Sequence, residues 1–381
     1  MHSPSPVPRR RCASAGGSLR ILIVSASMGA GHDTVARELA RRARRQGHHA
    51  HIVDLLKLLP GGLGTGLRLF YQASVRHFPW AYAGLYEAFL RPGTQHRPSG
   101  LPLARLAGGR LTALAERTGT DVVVPVFHLA AQLTGHLRDQ GRLRSPSAVF
   151  LIDFAVHRQW LHPGNDLYLC LTDEATREVS RSITVPVETT GPVVAPEFFA
   201  PAAGAPAWRQ RFAAHGPGRP PVLLSAGAWG AASELGGTAR LLAAAGLLPI
   251  VLCGGNERLR ARMGGIPGVL VPDWVTDMPG LLRAARVLVD NAAGQTAVQA
   301  LASGLPVVSY RPLPGHGADG VRRMEALGVS ETAADGTALL EALGRLSTDG
   351  AERERRIARG RELFRGDVMA RVAALAALST R

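Results

Sequence analysis

The chain has 381 residues, 46% of them hydrophobic, which is enough for two α/β domains, each with its own buried core. Its formal net charge of +15 favours an anionic partner such as a lipid surface, a nucleotide or a nucleic acid. Three scattered cysteines do not suit a disulfide framework or a cysteine-based zinc site, and no apolar run approaches the roughly 18 to 20 residues that span a bilayer. We therefore expect a cytoplasmic protein whose membrane contacts are peripheral.

The first predicted segment, residues 1–18, is rich in Pro, Ser, Gly and Arg and lacks the apolar stretch of a signal peptide. We expect a disordered basic tail there. From Leu19 onward, short apolar runs alternate with helical periods, as in parallel sheets covered by helices. The predicted strands are Arg20 to Ser25, Ala50 to Asp54, Asp121 to Val126, Ala148 to Ile152, Leu167 to Leu171, Val222 to Ser225, Pro249 to Cys253, Val269 to Val271, Val287 to Asp290 and Pro306 to Ser309.

A stretch rich in Pro and Gly, residues 191–206, separates two similar halves of this pattern and is the predicted linker. It divides the chain into a first domain, residues 19–190, and a second domain, residues 207–381. The predicted fold class is therefore α/β with two Rossmann-like domains facing a cleft. In such folds, ligands bind at the carboxyl ends of the strands, so the loops that follow strands are the candidate functional loops.

The segment from Leu55 to Leu90 interrupts the alternation with many aromatic and apolar residues beside Lys57, Arg68 and Arg76. An amphipathic helix of this composition suits a bilayer interface. A helical insertion that packs on the first domain explains the same pattern equally well. The residues alone leave both interpretations open.

The first predicted strand ends in a loop that contains Gly29, Gly31 and His32, and a helix opens at once. Glycines allow close approach of a ligand to the backbone, and the N-terminus of a helix favours negative charge. The same helix end disfavours the protonated form of His32, which makes the imidazole a candidate base. The alternatives are a tightly packed turn and a histidine that hydrogen-bonds its own loop.

A second candidate cluster follows the strand that ends at Ile152 and contains Asp153, His157 and Trp160. Asp153 is predicted to face the same cleft, with His157 one helical turn on, where the pair could orient an acceptor or assist the base. Alternatively, Asp153 caps a turn and Trp160 belongs to the core. We expect no metal here, because a third ligand is suggested only by distance along the sequence, by His128, Asp166 or Asp173.

In the second half, two further glycine loops follow strands and open helices: Gly227 to Gly230, and Gly294 with Gln295 and Thr296. Backbone N–H groups and helix dipoles in such loops can hold a diphosphate and stabilise a leaving nucleoside diphosphate. No Asp-x-Asp pair occurs, so a metal-dependent diphosphate site of that kind is not supported.

Several motifs in the same order resemble those of the diacylglycerol glycosyltransferases, a family that includes monogalactosyldiacylglycerol synthase and processive diacylglycerol glucosyltransferases and is related to the peptidoglycan N-acetylglucosaminyl transferase. The resemblance runs from about Leu19 to about Gly328. The matching stretches are Ser25 to His32, Asp153 to Trp160, Gly191 to Phe198, Gly227 to Gly230, Cys253 to Leu259, Trp274 to Pro279 and Gly294 to Pro306.

The resemblance implies a two-Rossmann GT-B fold, inversion at the anomeric carbon, and a nucleotide sugar, UDP-linked by expectation, held by the second domain as a substrate without a metal or other cofactor. It also implies a lipid acceptor met by the first domain at an anionic membrane surface, on the inner face of the cell membrane. It places His32 in acceptor activation and favours the interfacial interpretation of Leu55 to Leu90. The C-terminal helix is expected to cross back to the first domain. The implied donor residues are Gly227, Trp229, Gly230, Asn256, Gly294, Gln295, Thr296, Gln299, Gly315 and His316.

Departures from the family pattern fall in the donor site. Gln299 stands where the family usually has Glu, and His316 and Gly317 follow Gly315 where Gln and Glu are usual. Gln299 can still donate and accept, but it loses the charge-assisted hydrogen bond to ribose hydroxyls. Two rival functions remain: a non-catalytic protein that binds lipid or nucleotide, and a transferase acting on a polyprenyl or glycan acceptor. Nucleic-acid binding is not expected, because no nucleic-acid-binding motif accompanies the basic charge.

Overall fold

The structure, a computed structural model, describes residues 17–77, 84, 100–228, 230 and 234–379. Most of the predicted N-terminal tail lies outside these residues, and so do Trp229 and all the aromatic residues from Phe78 to Phe89. Helices and strands alternate through the rest of the chain, in two halves.

The first half contains two groups of parallel strands, in the orders β2-β1-β3 and β4-β5-β6. A single parallel bridge between Val123 and Ser147 links the two groups. Both faces of these strands are covered by helices, which explains why β1 is apolar from Ile21 to Val24 and β3 is apolar throughout. The strands are β1 (Arg20–Ser25), β2 (His49–Asp54), β3 (Val122–Pro125), β4 (Ala148–Phe150), β5 (Leu167–Cys170) and β6 (Val187–Thr189).

The helix after β1 shows how the sequence sets the fold. Val35, Leu39 and Ala43 recur at helical spacing and are buried, whereas Arg37 and Arg44 lie on the exposed face. Burial of this apolar stripe holds the helix against the sheet. The helices of the first half are α1 (Ala30–Arg45), α2 (Leu55–Leu58), α3 (Leu63–His77), α4 (Leu101–Arg105), α5 (Gly108–Arg117), α6 (His128–Asp139) and α7 (Asp173–Ser180).

The second half contains one parallel sheet in the order β11-β10-β9-β7-β8, with helices between its strands. Its strands are β7 (Pro221–Ser225), β8 (Leu248–Leu252), β9 (Val287–Asp290), β10 (Val307–Tyr310) and β11 (Ser330–Ala333). Its helices are α8 (Ala205–His215), α9 (Leu235–Ala244), α10 (Glu257–Gly264), α11 (Met278–Ala284), α12 (Gln295–Ser303), α13 (His316–Ala326), α14 (Gly336–Ser347), α15 (Ala351–Arg361) and α16 (Val368–Ser379).

Three strand assignments differ from the sequence prediction. The predicted strand Val269 to Val271 is only a single bridge, between Leu270 and Ile250. β6 and β11 were not predicted, because each is a short edge strand that is partly exposed and partly polar. An edge strand has one neighbour instead of two, so its sequence lacks the continuous apolar run of a central strand.

α3 lies within the segment that interrupts the alternation. Leu67 packs against the core, whereas Leu63, Leu69 and Phe70 are 47%, 55% and 59% exposed. The helix therefore has one side on the protein and an apolar side that the described residues leave uncovered. Within the described residues, no helix combines the length and the apolar composition that crossing a membrane requires.

The C-terminal helix α16 returns to the first half and packs against α1 and β3, with Val368, Met369 and Val372 fully buried. Just before α16, the backbone at Leu363 crosses very close to the start of the predicted linker. Gly191 has a φ of +75°, and a Cβ atom there would lie 2.1 Å from the carbonyl oxygen of Leu363. Only glycine fits this crossing.

We predict that Gly191→Ala lowers the free energy of unfolding by about 3 kcal/mol or more, because the new methyl group meets a backbone carbonyl at a left-handed φ. Gly218→Ala is the matched control: Gly218 has a φ of +70° with open space around it, so only the conformational cost of about 1–2 kcal/mol applies. Thermal and urea unfolding of both variants measure the difference. Equal losses of stability in the two variants would mean that the backbone at Leu363 shifts to accommodate the methyl group at no cost in free energy.

Candidate active site

A cavity of about 470 Å³ lies between the two halves, at the carboxyl ends of their strands. Its volume is within the range of small-molecule sites. Most of the site residues predicted from the sequence line it. These are Gly29, Gly31, His32, Asp153, His157, Gly227, Gly294, Gln295, Thr296, Gln299 and His316.

His32 lies in the first turn of α1 and is held by the strand beside β1. Its Nδ1 is 2.8 Å from the carbonyl oxygen of Val126, and its ring meets Phe127 edge-on with the centroids 5.1 Å apart. A carbonyl oxygen can only accept, so Nδ1 carries the proton in this hydrogen bond and Nε2 keeps its lone pair. Burial lowers the pKa of His32 and outweighs the carboxylate of Asp153, which raises it. The ring is therefore a neutral imidazole with a free basic nitrogen.

Two serines that the site prediction did not include fix the loop in front of His32. The hydroxyl groups of Ser25 and Ser27 donate to the carboxylate of Asp33, at 2.7 and 3.2 Å. Since Gly29 adopts a φ of +143°, the backbone can turn sharply between the strand and the helix. The Ser-x-Ser pair before the glycines was the available signal for this role.

Asp153 follows β4 and is contacted from three sides. Its Oδ2 accepts a hydrogen bond of 2.8 Å from Nε1 of Trp160, its Oδ1 lies 3.1 Å from Nε2 of His316, and Nε2 of His157 lies 3.9 Å from Oδ2. Burial alone raises the pKa of Asp153, but the ion pair with His316 reverses this and holds the pKa below its usual range. Burial alone would lower the pKa of His316, but the Asp153 carboxylate raises this pKa above its ordinary value. An ion pair therefore joins the two halves across the cleft.

His157 is buried and neutral. Burial first, and then the charge of His316, lower its pKa to about 3. Its ring meets the rings of His128 and His316 edge-on, with centroids 5.1 and 5.8 Å away. The prediction of one helical turn between Asp153 and His157 is wrong, because the chain is bent there and His157 has the extended φ and ψ of −115° and 154°.

His128 also lines the cavity, at the start of α6, where burial lowers its pKa well below the ordinary value. The sequence analysis named His128 only as a candidate third metal ligand, chosen by its distance along the sequence. The other two suggested third ligands lie elsewhere: Asp166 pairs with Arg138 at 2.6 Å, and Asp173 begins α7. Instead, Asp153, His157 and His316 bring one potential ligand atom each within 4.8 Å of one another.

The loops of the second half are shaped by backbone contacts. Asp290 is buried, and its carboxylate accepts hydrogen bonds from the N–H groups of Ala292 and Ala293, at 3.0 and 2.6 Å. This fixes the loop that leads to Gly294 and to the N-terminus of α12, which no side chain caps. Gln295 lines the cavity and also donates to the carbonyl oxygen of Val193, at 3.2 Å, so it holds the predicted linker.

Some predicted residues support the loops without lining the cavity. Asn256 caps α10 by accepting from the N–H of Leu259, and its side-chain amide donates to the carbonyl oxygen of Gly230. Gly230 and Gly315 have φ values of +63° and +76° and turn the chain. Trp160 is fully buried and contacts Asp153, so its place is beneath the site. Trp229 lies outside the described residues.

Large apolar and aromatic side chains at the cavity were also missed as site residues. Tyr71 from α3 and Trp274 and Met278 from the second half all line it, and Trp274 is 64% exposed. Trp274 lies in a stretch that the sequence analysis matched to the family without giving it a role. These large apolar and aromatic groups give the cavity a wall suited to a ligand with an apolar part.

The chain resembles a known family over much of its length. A family model of monogalactosyldiacylglycerol (MGDG) synthase matches residues 32–194. A processive diacylglycerol beta-glucosyltransferase of Bacillus thuringiensis is 27% identical over 324 residues, which cover 78% of this chain and 77% of that protein. The resemblance stated from the motifs is confirmed.

Solved structures confirm the predicted fold class. MurG of Acinetobacter baumannii superposes with a TM-score of 0.54 at 15% identity, covering 95% of this chain and 100% of that one. HepE of Anabaena, solved in complex with UDP-glucose, superposes with a TM-score of 0.57 at 13% identity, with the same coverage. These are GT-B glycosyltransferases, so the α/β arrangement with two Rossmann-like halves is the GT-B fold.

We predict that Trp160→Phe destabilises the protein by about 1.5–3 kcal/mol, because the ring still fills its buried place but the hydrogen bond to the Asp153 carboxylate is lost. Trp208→Phe is the control in the second half, where the ring is partly buried. Urea unfolding of the two variants measures the difference. A loss at Trp160 no greater than at Trp208 would contradict a supporting role for this hydrogen bond.

Proposed function

We propose that this chain, which has the GT-B fold and resembles the diacylglycerol glycosyltransferases, transfers a hexose from a UDP-linked sugar to diacylglycerol or a related lipid. The observation that carries the proposal is the geometry of His32. Its Nδ1 is committed to Val126, so its neutral Nε2 is the basic atom left for a ligand in the cavity that both halves line.

In this mechanism, the hydroxyl group of the lipid binds beside His32 with its oxygen toward the anomeric carbon of the donor. Nε2 accepts the hydroxyl proton while the oxygen forms the new bond to that carbon. The bond from the carbon to the diphosphate breaks on the opposite side, and its electron pair leaves with the phosphate oxygen. A single displacement of this kind inverts the anomeric carbon.

The donor diphosphate is proposed to lie against the loops of the second half. The N-terminus of α12 lacks a side-chain cap, so its N–H groups are available to an anion, and Gly227 and Gly294 allow the diphosphate to approach the backbone. These groups stabilise the charge that develops on the leaving group. In this proposal, these groups take the place of a metal ion at the diphosphate. HepE, with the same fold, was solved with UDP-glucose, which supports a UDP-linked donor here.

The acceptor is proposed to arrive from a membrane along α3. Leu69 and Phe70 are exposed there beside Arg68, and the next residue, Tyr71, lines the cavity. Apolar side chains enter the acyl boundary while arginine binds anionic headgroups. A lipid could therefore pass from the membrane to His32 without crossing open water. The anionic inner face of the cell membrane is the proposed location, given the net charge of +15.

We predict that His32→Ala lowers the rate of transfer by about 10²- to 10⁴-fold, because the group positioned to accept the hydroxyl proton is removed. Purified protein is incubated with vesicles containing diacylglycerol and a panel of labelled UDP- and GDP-sugars, and label in the lipid phase is counted. His49→Ala, at an exposed position on β2, is the matched control and keeps full activity.

Equal activity of the His32→Ala and His49→Ala variants would overturn His32 as the base. Label appearing only with a GDP-sugar would overturn the UDP donor. Absence of label with every donor, despite binding to vesicles, would favour the non-catalytic alternative, with Gln299 and His316 as the first positions to restore to the family residues.

We predict that Phe70→Ser weakens binding to vesicles of phosphatidylglycerol and diacylglycerol by roughly 10- to 100-fold, which corresponds to about 1.5–3 kcal/mol for an aromatic side chain withdrawn from the interface. Leu378→Ser is the matched control, because Leu378 is 71% exposed on α16, a helix that packs against α1 and β3. Co-sedimentation measures both. Equal binding of the two variants would exclude α3 as the membrane surface.

A further inference from the structure

Three side chains of types that can bind a metal meet in the cavity, and the proposed transfer does not require them to do so. Asp153 and His157 come from the loop after β4, and His316 begins α13 in the second half. All three line the cavity. We propose that Asp153, His157 and His316 bind a divalent transition-metal ion, and that the ion is Zn²⁺.

The spacing of the three groups is close to what zinc requires. In a tetrahedral site with bonds of about 2.0–2.1 Å, neighbouring ligand atoms lie about 3.3–3.4 Å apart. Oδ1 of Asp153 is 3.1 Å from Nε2 of His316, and Oδ2 is 3.9 Å from Nε2 of His157. All three ligand atoms lie within 4.8 Å of one another. Side-chain rotations that shorten the longer of these spacings would complete the site.

The surroundings of two of the ligands fit the same interpretation. The indole N–H of Trp160 donates to Asp153, which fixes the carboxylate as an outer hydrogen bond does in known metal sites. His157 is only 3% exposed, and within the described residues its Nδ1 has no hydrogen-bond partner. The fold therefore gains no hydrogen bond from that buried nitrogen, and the ring can turn without breaking one.

The ligand set selects the kind of ion. Two imidazoles and one carboxylate suit zinc and its neighbours, whereas calcium and magnesium require oxygen ligands. Three protein ligands leave the fourth position of a tetrahedral ion open toward the cavity. Because the ligands come from both halves, a bound ion would tie the loop after β4 to the start of α13 and hold the cleft together.

The test is metal binding itself. Protein stripped with EDTA is titrated with Zn²⁺ by calorimetry and with Co²⁺ by visible absorption, which reports tetrahedral coordination directly. We expect one ion per chain, a cobalt spectrum of tetrahedral intensity and a rise in the thermal unfolding midpoint with zinc. His316→Gln and Asp153→Asn are expected to weaken binding at least tenfold, and His49→Gln to leave it unchanged.

His316 is partly exposed, so we expect the His316→Gln variant to fold. Thermal unfolding of the metal-free variant is measured to check this. Wild-type protein without tetrahedral cobalt absorption, or with the same zinc affinity as both ligand variants, would overturn the site. Transfer of sugar is assayed separately on the metal-free protein, so a failed metal site and a failed transferase are told apart.

Discussion

In both halves the strands pair in parallel, so every loop that carries a cavity residue leaves its sheet at the same edge. His32 follows β1, Asp153 follows β4, Gly227 follows β7 and Gly294 follows β9. None of these residues is near another in the sequence. Their meeting depends on strand direction, and each local turn only has to present its own group at that edge. The glycines after the strands meet this requirement by letting the backbone turn sharply into a helix.

One carboxylate among several imidazoles sets the charges of the cleft. Asp153 pairs directly with His316, and that pair is the one in which an imidazole is favoured in its charged form. His32, His128 and His157 are pushed toward the neutral form by burial, and each added positive charge would repel the others. A single ion pair is therefore compatible with three neutral imidazoles, and neutral imidazole is the form that can accept a proton or bind a metal.

Local sequence patterns predicted the features that depend only on neighbouring residues in the chain. Most strands, the glycine loops and the place of His32 follow from apolar runs and from the residues that end them. The bend between Asp153 and His157 was missed because its residues carry no helix or turn signal strong enough to decide the conformation. The edge strands β6 and β11 were missed because partial exposure leaves them polar. The pairing of Asp153 with His316 could not be predicted at all, since it depends on how the two halves meet.

The return of α16 to the first half has a consequence for synthesis of the chain. Val368, Met369 and Val372 cover α1 and β3, which leave the ribosome long before them. The apolar surface of α1 and β3 that α16 covers is therefore exposed to water until α16 has been synthesised. Exposed surface of this kind attracts chaperones and other nascent chains. Loss of α16 by premature termination would therefore uncover α1 and β3 in the first half, far from it in the sequence, while the sheet of the second half would keep its own helices.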